Sequence, residues 1–62
     1  MVTQFDGHIG RGVVLRADGT QYGFHCVQIA DGSRTIAVGT EVDFDTTPGP
    51  LGRWEAANIR PR

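Results

Sequence analysis

Glu41-Val42-Asp43-Phe44-Asp45 alternates acidic and apolar side chains, residue by residue. Successive side chains of a strand point to opposite faces, so this stretch sends Val42 and Phe44 inward and its carboxylates outward. Gly39 precedes it and Pro48-Gly49-Pro50 follows it. The same punctuation runs through the whole chain, where nine Gly and three Pro leave no breaker-free stretch longer than eight residues. Helices average about eleven residues, and a Gly or Pro inside one costs about 1 to 3 kcal/mol, so the spacing argues against a helical protein. The windows between breakers are strand-sized and rich in β-branched or aromatic residues. They predict strands near residues 2–6, 11–16, 21–26, 40–46 and 54–60. Asp18-Gly19 predicts a tight hairpin between the second and third strands, because both residue types tolerate positive φ. Asp31-Gly32 and Pro48-Gly49-Pro50 mark further turns. Residues 27–39 form a long connection with room for one short helical turn.

The chain has 62 residues and a net charge of −1, the size of one domain spanning residues 1–62. A chain this short buries only about 60% of the surface it exposes when unfolded, which leaves little core to give up to a deep catalytic pocket. No apolar run approaches a membrane span, and Met1-Val2-Thr3-Gln4-Phe5-Asp6 lacks the basic start and apolar stretch of a signal peptide, so a cytoplasmic protein is expected. Cys26 is the only cysteine and forms no intrachain disulfide. All six basic residues are Arg. Coding bias is the preferred account of that over phosphate binding, although Arg suits phosphate better than Lys does.

Five short strands on a chain of this size need closure, because two flat sheets would leave edges and little core. A small five-stranded antiparallel barrel is the expected all-β architecture, and OB-type and SH3-like barrels share that profile. By pattern, Val14, Tyr22, Phe24, Ile29, Ile36, Phe44, Ala57 and Ile59 make the core.

Several stretches in order resemble the cold-shock domain family, a five-stranded OB-fold barrel that binds single-stranded RNA and DNA. Tyr22-Gly23-Phe24-His25-Cys26-Val27-Gln28-Ile29 sits where the family has its second RNP motif. Gly10-Arg11-Gly12-Val13-Val14 occupies the place of the first, and Phe5-Asp6 resembles the end of the first strand. Gly32-Ser33-Arg34-Thr35-Ile36, Gly39-Thr40-Glu41-Val42-Asp43-Phe44 and Trp54-Glu55-Ala56-Ala57-Asn58-Ile59 complete the set, which covers most of the chain. The resemblance implies an OB barrel over an SH3-like one, with a single strand crossing the first three strands.

The departures from the family lie on that surface. Its base-stacking aromatics are replaced by Gln4, Arg11, Val13, Gly23 and Cys26, and its usual Lys by Ile9. His25 and Phe5 remain of the stacking row. Base–aromatic stacking is worth about 1–3 kcal/mol per base, so binding of RNA or DNA is expected to be weak and sequence-tolerant. Alternation groups Arg11, Val13 and Leu15 on one side of the second strand, and Gln21, Gly23 and His25 on one side of the third. The candidate nucleic-acid-binding residues are Phe5, Arg11, Val13, His25, Arg53 and Trp54. The alternative is a protein-interaction or self-associating module using Ile9, Val13 and Leu15 as an apolar patch.

No catalytic, cofactor or metal site is expected. His25 and Cys26 are strand neighbours whose side chains should point to opposite faces, which excludes a nucleophile–base pair. Two distant His and one Cys do not supply a metal ligand set. Gly10-Arg11-Gly12 lacks the third Gly and the helix of a dinucleotide fingerprint.

Overall fold

In the computed structural model, which describes residues 1–62 and of Leu51 the backbone alone, five strands form one sheet. They are β1 (Val2–Asp6), β2 (Arg11–Leu15), β3 (Gln21–His25), β4 (Val42–Pro48) and β5 (Trp54–Pro61). Their order in the sheet is β1-β2-β3-β5-β4. The chain is all-β as the breaker spacing predicts, and its helical pieces among the described residues are two 3-10 turns, Cys26–Gln28 and Pro50–Gly52.

Two features of the expected antiparallel barrel are corrected. First, β3 and β5 pair in parallel, with Gly23 opposite Glu55. The 27–39 connection crosses the end of the sheet, and Ile29 bridges Ile59 in the same parallel sense. Second, strand pairing does not close the sheet, since β1 and β4 remain its two edges. The first residue of β1 alone bonds to the chain leading into β4: the Val2 N–H donates to the Thr40 carbonyl at 2.9 Å, and the Gly39 N–H to the Val2 carbonyl at 2.8 Å.

The core consists of Val2, Val14, Phe24, Ile29, Val42, Ala56 and Ile59, with Phe5, Tyr22, Cys26, Ile36 and Phe44 packed against it. Phe24 is fully buried and fits because Gly12, across the β2–β3 pair, has no side chain. A Cβ on Gly12 would lie 2.6 Å from the Phe24 ring and 2.7 Å from the Gln4 carbonyl.

Ala57 is half-buried and its neighbour Ala56 is the core residue, which corrects the alternation reading. Between the pairs Asp43–Arg60 and Asp45–Ala57, β5 spends one residue more than β4. Asn58 absorbs it with φ at 51°, and its side-chain amide donates to Asp45 at 3.2 Å. This bulge lets Ala56 and Ile59 both face the core. A matching irregularity in β1, between Val2 and Gln4, puts Val2 inside and Gln4 outside.

The β2–β3 connection also differs from a two-residue hairpin. Gly19 has φ at 91° and its N–H donates to the Arg16 carbonyl at 2.9 Å, while Asp18 keeps negative φ. Asp18 instead accepts the Thr20 N–H at 2.9 Å through its carboxylate. This is a longer turn with one glycine in the left-handed region.

Candidate nucleic-acid interface

Register decides which side chains share a face. Arg11 lies opposite His25 and Val13 opposite Gly23, while on β1 Asp6 lies opposite Arg11 and Gln4 opposite Val13. Directly opposed residues of an antiparallel pair project to the same side. Gly12 and Val14 are buried, so the Arg11, Val13, Gly23 and His25 row faces outward as alternation predicts. Gln4, Phe5, Asp6, Ile9, Arg11, Gly12, Val13 and Gly23 line a shallow depression of about 460 Å³ on this face.

Phe5 lies opposite Gly12, on the core side of β1. Its ring stacks on Phe24 with centroids 6.0 Å apart and an interplanar angle of 14°. It therefore reaches the depression from below, and one ring face is taken by the core. Trp54 is 59% exposed and opens β5 opposite Pro48. Strand pleat sets Trp54 on the Ala56 side of β5, away from Glu55, so it is not brought beside Arg11 and His25. Arg53 is exposed in the turn before β5, where its carbonyl accepts the Gly49 N–H at 2.6 Å.

His25 closes β3 and caps the 3-10 turn that follows, its Nδ1 accepting the Val27 N–H at 3.3 Å. That bond holds the ring with Nε2 toward Gly10. The expected separation of His25 and Cys26 does not hold, because the strand ends here. The turn brings Cys26 Sγ to 3.9 Å from Nδ1, although that nitrogen already has the Val27 donor.

Glu55 was not expected at the face, and it changes the electrostatics there. Arg11 Nη2 lies 3.2 Å from Glu55 Oε2, and the guanidinium reaches its partner across Gly23. Asp6 stands on the same face and accepts the His8 N–H at 2.9 Å. The signal that would have revealed Glu55 is the parallel β3–β5 pairing, which alternation within single strands does not contain.

The other arginines are spent largely elsewhere. Arg62 bridges Asp43 at 2.9 Å and Glu41 at 3.9 Å, and Arg60 bridges Asp45 at 3.7 Å, along the acidic side of β4. Arg16 donates to the Tyr22 hydroxyl at 2.8 Å, with its guanidinium carbon 5.8 Å from the ring centroid. Among the described residues, Arg34 and Arg53 are the two without an ion pair or side-chain hydrogen bond.

Ile9 is 60% exposed and Val13 half-buried at the same depression, whereas Leu15 is half-buried beside Val42 and Phe44 at a second one. That second depression is the open seam between the β2 end and β4. Among the described residues no cluster of His, Cys, Asp or Glu has the makings of a metal site, and no helix is long and apolar enough to cross a membrane. The chain matches no protein-family model, no curated protein and no solved structure.

Proposed function

We propose that the chain is a cold-shock-like OB module that binds single-stranded RNA or DNA weakly across β1, β2 and β3. The observation that carries this reading is the strand order β1-β2-β3-β5-β4 with parallel β3 and β5, because it leaves the three-strand outer face open for a chain to cross. The backbone bonds from Val2 to Gly39 and Thr40 support an OB-type sheet that is nearly rolled shut. Arg11, Val13 and His25 share this outer face, while Phe5 supports it from the core side. The reduced aromatic content and the carboxylates of Asp6 and Glu55 favour micromolar or poorer affinity.

Titration of labelled oligothymidine at two salt concentrations tests the reading. Each phosphate contact on a single strand contributes a slope of about −0.7 in log affinity against log salt. With two arginines engaged on phosphates, the expected slope is about −1.4. Nanomolar affinity at physiological salt contradicts the claim that the missing rings matter, and no binding at either salt contradicts the function.

The exposed Ile9 beside Val13 favours a second reading, self-association through this depression. Sedimentation without nucleic acid separates the two: a dimer that Ile9→Glu dissolves supports the second reading, and a monomer removes it.

A further inference from the structure

We infer that Arg11, passing beside the bare backbone of Gly23 and held there by Glu55, is a stacking platform for a base; the inference rests on the nucleic-acid reading above. A glycine stands on either side of this pair, and the one behind Glu55 clears the space for it. A Cβ on Gly23 would meet Arg11 Nη2 at 3.8 Å and the Gly12 carbonyl at 3.9 Å, so the end of the guanidinium passes beside this position on its way to Glu55. Behind the carboxylate, a Cβ on Gly49 would come within 2.6 Å of Glu55 Cγ and 2.7 Å of its Cδ. Gly49 thus lets Glu55 lie flat against the backbone of the β4–β5 turn. The Glu55 side chain is 24% exposed and that of Arg11 47%, so the carboxylate is the sheltered partner and the guanidinium the presented one.

A guanidinium is planar, and a carboxylate bonded at its edge leaves the solvent-side face open to stack on a nucleobase. The same carboxylate cancels its charge, which weakens its pull on a phosphate. Arg11 therefore contributes to binding through contact with a base and adds little to the salt dependence. Glu55 is the positioning residue, because it acts only through Arg11.

Three variants test this with labelled oligothymidine, titrated between about 50 and 200 mM salt. Arg11→Ala should weaken binding about five- to a hundredfold, the loss of one stacked base, with the salt slope unchanged. Arg11→Lys keeps the charge without the plane and should lose as much. Glu55→Gln releases the guanidinium to a phosphate and should steepen the slope by about 0.7. The melting temperature of each variant should stay near that of the wild type, since both side chains lie at the surface. If Arg11→Lys retains binding, or Arg11→Ala makes the slope shallower by about 0.7, Arg11 is a phosphate ligand and the platform is overturned while the nucleic-acid reading stands. Unchanged affinity in Arg11→Ala also overturns it. Failure of the wild type to bind at either salt removes the reading and the platform together.

Discussion

Gly12 and Gly23 are both glycines on the paired β2–β3 strands, yet they answer to different demands. Gly12 makes room inside for Phe24, where an added Cβ would sit 2.6 Å from the ring. Gly23 faces outward, and its Cβ would make only ordinary contacts at 3.8 and 3.9 Å. Gly12→Ala should therefore destabilise by about 1–3 kcal/mol through overpacking. Gly23→Ala should stay within about 0.5 kcal/mol. Thermal melts of the two variants check the contrast, and equal melting temperatures would refute the inside–outside assignment of β2 and β3. Asp18 carries a second prediction at this scale. Its carboxylate is held below the ordinary range chiefly by the Thr20 N–H and next by the Thr20 hydroxyl. A depressed carboxyl stabilises the fold above its unfolded pKa of about 4, and that contribution is lost as pH falls through the folded value. The stability gap between wild type and Asp18→Asn should accordingly narrow between about pH 5 and pH 2. A gap independent of pH would show that the charge on Asp18 has no part in the turn.

At the scale of the elements, the bulges in β1 and β5 set which residues are inside. Asn58 sits at φ 51°, a conformation that a β-branched residue adopts only under strain, and its side chain also bonds Asp45. Asn58→Val should cost on the order of 1–3 kcal/mol. Chemical denaturation measures it, and a variant as stable as wild type would show that the bulge does not need this residue. These bulges also mark where the sequence stops being legible. All five strands could be placed from breaker spacing, and Val42, Phe44 and Phe24 from alternation, because those signals are local. The extra residue at Asn58 is an agreement between two strands, so alternation alone selected Ala57 where the fold buries Ala56. The β1 irregularity is likewise invisible to alternation, and it turns Gln4 outward and Phe5 onto Phe24. Glu55 is invisible to alternation because it reaches Arg11 through a parallel pairing between distant segments.

For the whole molecule, the arrangement of charge matters more than the net value of −1. Glu41, Asp43 and Asp45 are gathered with Arg60 and Arg62 along β4 and β5, on the side that should repel a phosphate chain least screened at low salt. The outer face of β1 to β3 has Asp6, Arg11 and His25 in one row with Gln4, Val13 and Gly23 in the next, and Glu55 pairs Arg11 there. A single strand is expected to follow β1 to β3, where Arg11, Val13 and His25 share a face, and to avoid the three carboxylates along β4. Proton–nitrogen correlation spectra, recorded while oligothymidine is added to the labelled protein, test this most directly. The account predicts concentration-dependent shifts in the amides of Gln4, Arg11, Val13, Gly23 and His25, with those of Asp43 and Asp45 unmoved. Shifts centred on β4 and the seam beside Leu15, or none anywhere at millimolar oligonucleotide, would contradict it.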